Sequence, residues 1–503
     1  MRNRQPLTGL VSSNLTHSAN APKKMTDRAS VDGAGLSLTP ESMRKLADAA
    51  TDSLLARLEG LRDDVPWRGA KRADLEKILR EAAPEQGQDP VKVLGRAVQD
   101  ILPIAGRVDH PRFFAFVPSA PTWPGVIADF LAAGFNTFQG TWLGAGAPSQ
   151  VELVVIDWIR DWIGYPESAG GLFTSGGSAA ILDAFVAARE KAGAPERPAI
   201  FLSDQTHSAV ERAARIIGVR PAGIVVVPSD ADYRLPLPAL GEAVRRARAA
   251  GYAPIAVCAN AGTTNTGAID PLPAIADFCA AEDIWLHVDG AYGGFAVLSD
   301  AGRKLLAGIE RADSISLDAH KWLYQPFEAG CVMVRDVGDL VRAFSVNPDY
   351  LQDTKLGLEH VNFADRGYQL TRSFRALKVW MSIQTFGLAR FREAIARTIQ
   401  FASDAGALVA GSESLELLGP PSLGVLCFRY RPTNADWTPA RIDALNEAIQ
   451  GRVIQSGTAM ISSTRLRGTY SLRLCIMSHQ TTWDDVTGTI QRIEAFGHEL
   501  SRA

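Results

Sequence analysis

Cysteine is scarce in this 503-residue chain: the five thiols are Cys258, Cys279, Cys331, Cys427 and Cys475, far apart and without a C-x-x-C pair or Cys/His ligand spacing. That excludes a disulfide scaffold and a zinc module, and it reads as free thiols in a reducing cytosol, so a cytoplasmic protein without a metal is expected. Long hydrophobic runs are also missing. No stretch approaches the roughly 20 apolar residues of a membrane span, and residues 1–30 are polar, without the apolar centre of a signal peptide. No membrane partner is expected, and residues 1–36 read as a disordered leader. Nor is there an excess of charge of one sign. The formal net charge is −3, with both signs spread along the chain, so no basic stripe offers itself to a phosphate backbone and no nucleic-acid partner is expected.

What is present is an ordinary globular composition, 46% apolar and 21% charged, over a length that exceeds one hydrophobic core. Thr39-Pro40-Glu41-Ser42 supplies a cap and a first-turn proline for a helix from Leu38 through Leu58, and a second helix is expected over Lys71–Ala82. Residues 110–150 are rich in Gly, Pro, Ala and aromatics, which reads as a loop-rich apolar lining. From Val151 to Val334 apolar runs alternate with helical stretches: Ala199–Leu202, Gly223–Val227, Ile255–Ala259, Ile284–Val288, Ser314–Leu317 and Gly330–Val334. Continuous apolar strands between helices require a mainly parallel sheet covered on both faces. Beyond Gly387, helices expected over Phe391–Val409 and Pro439–Gln455 alternate with strands at Val425–Arg429 and Ser471–Cys475, the pattern of a small α+β domain. The division expected is therefore 1–36 leader, 37–118 helical arm and dimerisation segment, 119–386 large α/β domain, and 387–503 small domain.

Four constellations carry chemistry, each at the carboxyl end of an expected strand, where open parallel sheets bind ligands. Thr174-Ser-Gly-Gly-Ser178 precedes an alanine-rich helix. Glycines let backbone approach an anion and helix-start N–H groups bind it; a plain turn capping a helix is the commoner explanation of such a string taken alone. Ile284-Trp-Leu-His-Val-Asp-Gly-Ala-Tyr292 ends an apolar strand in Asp289, a carboxylate that needs a cation, such as a protonated pyridine nitrogen, with Gly290 and Ala291 leaving room for a flat ring. A helix cap or a metal carboxylate are the other readings. Ser314-Ile-Ser-Leu-Asp-Ala-His-Lys-Trp322 ends in Asp318, His320 and Lys321; a lysine buried among apolar neighbours is a free amine able to form an imine with an aldehyde. Ser203-Asp-Gln-Thr-His-Ser208 offers His207, either to lie over a planar cofactor or as a satisfied structural histidine.

In this chain order the set resembles the group II decarboxylases that depend on pyridoxal 5'-phosphate (PLP), in particular the aromatic-L-amino-acid branch. The likeness runs from Leu38 to Arg502 and includes H-P-x-F-F-A-F-x-P at His110–Pro118, H-V-D-G-A-Y, D-A-H-K-W and L-R-L-C-I at Leu472–Ile476. It implies the fold type I architecture of aspartate aminotransferase, with a seven-stranded sheet, and a homodimer with active sites at its interface. It further implies that Lys321 holds PLP as an imine, Asp289 pairs with the ring nitrogen and His207 stacks on the ring. Gly177, Ser178 and Asp318 would bind the phosphate, Thr264, Ala291 and His320 would lie near the cofactor, and Asp270 would support the Asp289 end. Arg473 matches a family arginine near the substrate carboxylate, with a structural ion pair as the alternative.

The lining stretch offers Phe113, Phe114, Phe116, Trp123, Phe138 and Trp142 but only Arg112 as a cation, so an amino acid with an aromatic side chain is expected, with Phe116, Pro118, Trp142 and Arg473 about it. The same aromatics are equally readable as core. Phe116 stands where animal members carry Tyr, and Gly140 where they carry a bulky Phe, which favours indole or phenyl side chains over a catechol. Tyr350, in Asn347-Pro-Asp-Tyr-Leu351, matches a family tyrosine on a mobile loop that protonates the substrate carbon; aldehyde-forming relatives carry Phe there. Tyr350 therefore points to amine formation. An aldehyde synthase, an acidic-amino-acid decarboxylase and a non-catalytic PLP-binding protein are the competing readings.

Overall fold

The structure is a computed structural model that describes residues 35–117, 120–346, 357, 360–433 and 437–502. The chain forms two compact units, one of residues 35–58 with 82–102 and the other of 59–81 with 103–502. The smaller contains most of the helix Pro40–Glu59, opened by the threonine and proline that the sequence places there, and Pro90–Arg96, capped by Asp89 accepting from the Lys92 N–H at 3.0 Å. No residue of Pro40–Glu59 is buried.

The larger unit is built on a seven-stranded sheet of β1 (Gly170–Thr174), β2 (Pro198–Ser203), β3 (Ile224–Val227), β4 (Ala253–Asn260), β5 (Trp285–Gly290), β6 (Ser314–Asp318) and β7 (Gly330–Val334), in the order β1-β7-β6-β5-β4-β2-β3. β7 alone runs against its neighbours β1 and β6; the pairings β6-β5-β4-β2-β3 are parallel. Six of these strands coincide with the apolar runs of the sequence. β1 is hidden in the sequence by its two glycines, and it pairs with β7 across all five residues. Gly171 must be glycine, since a Cβ there would lie 2.0 Å from the Val332 carbonyl oxygen.

Residues 110–150 correct the expectation of a loop. Trp123–Phe135 and Trp142–Ile163 are helices, capped by Thr122 and Thr141, whose hydroxyls accept from Gly125 and Gly144 N–H at 3.3 Å. Glycine and alanine content suggested irregular backbone, whereas the caps and the apolar spacing decide for helix. The preceding stretch joins a second sheet. Phe114 N–H donates to Met460 O (2.7 Å) and Cys475 N–H to Phe114 O (2.8 Å), so Phe113 and Phe114, 3% and 1% exposed, are core. That sheet is antiparallel, in the order β10-β11-β9-β8, from β8 (Leu415–Leu417), β9 (Val425–Tyr430), β10 (Ser462–Leu466) and β11 (Thr469–Cys475). The helix Pro439–Gln455 lies where the sequence puts it, and Ala376–Ala410 is two helices meeting at Gly387, whose φ of 73° is open to glycine.

Candidate active site

Strand order brings the chemistry together. β5 and β6 are adjacent and parallel, so Asp289 and Asp318, at their carboxyl ends, open into one cavity of about 510 Å3. Around it stand Gly177, Ser178, His207, Thr264, Ala291, His320, Lys321 and Phe116, so ten of the expected site residues share one space although they span 206 positions from 116 to 321. Trp142 and Arg473 do not line it, and Pro118 and Tyr350 lie outside the described residues.

Asp289 is 8% exposed, and its Oδ1 accepts from Ala291 N–H and from Ser316 Oγ, both at 3.1 Å. Ser316 stands opposite Asp289 in the β5/β6 register, and it shares a face with Asp318 because side chains two residues apart on a strand do. Asp270 acts one strand further on. Its Oδ2 accepts from the Asn260 N–H (2.7 Å) and Nδ2 (2.8 Å) and its Oδ1 from Leu235 N–H (2.7 Å). Asn260 is the β4 partner of Asp289, so Asp270 braces that end of the site through Asn260. Burial pushes the Asp270 carboxyl up to about 6 against the pull of these hydrogen bonds.

Lys321 departs from the apolar setting read from its neighbours. Its side chain is 20% exposed and its Nζ sits 2.8 Å from Asp318 Oδ2, because the turn after β6 folds residue 321 back over residue 318. His320 Nε2 lies 3.5 Å from the same oxygen, and burial lowers the His320 imidazole below its usual range. Trp322 is fully buried beneath. His207 caps the helix Ser208–Ile216 through Nδ1, which accepts from Ala209 N–H at 3.2 Å. The neutral ring therefore carries its proton on Nε2.

The loop after β1 starts the helix Gly177–Lys191 from Gly176, with no side-chain cap. A Cβ on Gly330 would lie 2.4 Å from the Gly176 Cα, so this helix start is pressed onto the end of β7. A Cβ on Gly177 would fill the cradle, 2.8 Å from the Ala291 Cβ and 3.2 Å from Asp318 Oδ2. Uncapped N–H groups at the start of a 15-residue helix, beside an open glycine edge, suit a phosphate. The Asp318 Oδ1 is buried and has no partner among the described residues. Glycine cradle, carboxylate for a ring nitrogen and amine within one cavity fit PLP.

Among the described residues Arg473 has no carboxylate partner. It is 3% exposed; Nη1 donates to Phe116 O at 2.6 Å and Nε to Asn265 O at 3.1 Å, and Nη2 has no partner among the described residues. It thus ties together two loops that border the cavity. One of them holds Phe116 at φ 54°, with 65% of its surface exposed at the cavity's edge. The lining residues that sequence reasoning missed include Ser175 and Gly176, Asn260, Thr263, Tyr292 and the pair Phe327 and Glu328. Ser175 and Gly176 lay inside a quoted motif, whereas Phe327 and Glu328 had no local signal and arrive through the turn that follows Lys321.

A pyridoxal-dependent decarboxylase conserved domain matches residues 73–431. An aromatic-L-amino-acid decarboxylase of Bacillus atrophaeus is 38% identical over 469 residues, covering 93% of this chain and 98% of that protein. A phenylacetaldehyde synthase of Arabidopsis thaliana is 31% identical over 463 residues, covering 88% and 94%. The crystal structure of Oryza sativa TDC with PLP and tryptamine matches with a TM-score of 0.87 at 30% identity, over 92% of this chain and 99% of that one. The chain belongs to the pyridoxal-dependent decarboxylases, as a PLP-dependent carboxy-lyase on the aspartate-aminotransferase type of α/β fold.

Proposed function

We propose that the protein decarboxylates an aromatic L-amino acid of the tryptophan, phenylalanine, tyrosine or DOPA class to its amine and CO2. The observation that carries this reading is the make-up of the cavity: Phe116 and Phe327 border it, and Lys321 is its single lysine or arginine among the described residues. A substrate with an acidic side chain would find no spare cation, because Lys321 is needed for the cofactor; Glu328, also at the edge, is held by Arg375 at 2.7 Å. The aromatic substrates named for the relatives support the same class.

In this reading Lys321 binds the cofactor aldehyde, Asp289 the ring nitrogen, His207 the ring face, and Gly177, Ser178 and Asp318 the phosphate, with Thr264, Ala291 and His320 around it. When bound, PLP accepts the electron pair left on Cα as CO2 departs. Asp289, fixed by Ser316 and Ala291, keeps the nitrogen's proton in place, and the aromatic edge orients the substrate and excludes water. Tyr350 donates the proton that completes the amine. Residues 37–118 serve dimerisation, 119–386 hold the cofactor and 387–503 form a small α+β domain, in a cytoplasmic homodimer. The test is a panel of amino acids scored together for CO2, amine and peroxide. Amine from aromatic substrates alone is expected; preferred turnover of glutamate, or stoichiometric peroxide, would overturn it.

A further inference from the structure

The phosphate cradle contains an acid. Asp318 ends β6 at 3% exposure, flanks the start of Gly177–Lys191, and keeps Oδ1 buried and without a partner among the described residues. The charged and titratable groups around it are few. From its own turn come Lys321, at 2.8 Å from Oδ2, and His320, at 3.5 Å; β5 contributes Asp289 across the cavity, whose lining also includes His207 and Glu328, and β7 the Cys331 thiol, kept protonated by burial. The helix start contributes no charged side chain, only Gly177 and Ser178. Once Lys321 is committed to the cofactor aldehyde, its ammonium no longer balances Asp318. A carboxylate oxygen would then face a phosphate oxygen at close range, two acceptors with no proton between them.

We propose that Asp318 takes up one proton from solvent when the phosphate binds and donates it from Oδ1 to a phosphate oxygen, so that retention of PLP weakens as pH rises. No other bond forms or breaks in this step. The inference rests on the reading of Gly177 and Ser178 as the phosphate cradle, and it makes Asp318 a cofactor-retention residue whose charge state is part of the site.

The Lys321→Ala chain removes both the covalent bond and the competing ammonium, and it can be titrated with PLP and with pyridoxal by calorimetry at pH 8 in buffers of different ionisation enthalpy. At that pH a free phosphate monoester, whose second pKa is about 6, is a dianion. PLP is expected to take up about one proton more than pyridoxal, and its affinity to fall about tenfold per pH unit between pH 7 and 9 relative to pyridoxal. Adding Asp318→Asn should abolish both differences and strengthen PLP binding at pH 9. Equal proton counts for the two ligands, with PLP still preferred, would overturn the role of Asp318 and leave the cradle standing. Equal affinity for PLP and pyridoxal would overturn the cradle and the inference together. The comparison of the two ligands counts the proton in the single variant, and Asp318→Asn assigns it: an extra proton that persists in the double variant would overturn the role of Asp318.

Discussion

In the proposed reading Lys321, Asp289 and Tyr350 divide the chemistry, and single substitutions separate their parts. Lys321→Ala is expected to remove the visible absorbance of covalently bound PLP and to lower turnover on the order of 10⁴-fold, the scale of losing a member of a covalent catalytic set; near-normal rates would discard the assignment. Asp289→Ala removes the carboxylate that Ser316 and Ala291 orient. It should leave a folded chain with turnover down by roughly 10²–10³-fold, as for loss of one preorganised charge partner, measured by steady-state kinetics at saturating PLP. Tyr350→Phe should keep CO2 release while moving product from amine towards aldehyde, ammonia and peroxide. An unchanged amine yield without peroxide would assign the proton to another group.

The helix Gly177–Lys191 links the cradle to the core through its buried face. Asp183 on that face is 1% exposed, receives Tyr368 N–H at 3.3 Å, and burial pushes its carboxyl up to about 7 from an ordinary 3.8. As pH rises the unfolded chain gives up this proton first, so the contribution of Asp183 to stability is complete below about pH 4 and is lost progressively up to about pH 7. Asp183→Asn has no proton to lose. Relative to the parent it should gain stability between pH 5 and 7, at up to ~1.4 kcal/mol per pH unit, and hold that gain above pH 7. Thermal midpoints of both proteins across that range would show it; a constant offset would mean the carboxyl is ionised throughout. At the head of the same helix, Gly177→Ala puts a methyl 2.8 Å from the Ala291 Cβ. PLP affinity should drop roughly tenfold, the scale of about 1–3 kcal/mol of overpacking, while the fold is retained.

At the scale of the molecule, apolar surface remains open. Phe130, Phe135 and Leu143 of the larger unit are 65%, 80% and 58% exposed, and Phe116 and Phe327 at the cavity are 65% and 60% exposed. In the smaller unit, Leu54, Leu55 and Leu58 are exposed as well. We propose that a second copy of the chain covers these apolar side chains. Sedimentation at micromolar concentration should therefore give a dimer, and deletion through Gly60 should give aggregates. A soluble, active monomer after that deletion would contradict the dimerisation role of the arm. Among the described residues no helix is long and apolar enough to cross a membrane.

Local order was readable in the chain itself. Apolar runs such as Ile255–Ala259 and Ile284–Val288 could only be buried strands, and Lys321, Asp289 and Gly177 announced themselves because each sits where a strand ends and polar chemistry begins. Cap residues also told where helices start, although at Thr122 and Thr141 composition drowned the signal. What sequence could not supply was partnership between distant segments. Phe113 and Phe114 became core because backbone hydrogen bonds to Met460 and Cys475 fix the face they present, and Arg473 became a brace because two loops offer it carbonyls rather than a carboxylate. The same holds for Lys321: Trp322 and Leu323 follow it in sequence, but the turn places it on Asp318. Side-chain identity and local spacing determine which elements form and which groups are reactive, whereas the environment of a charge is set by whatever the fold carries to within a few ångströms of it.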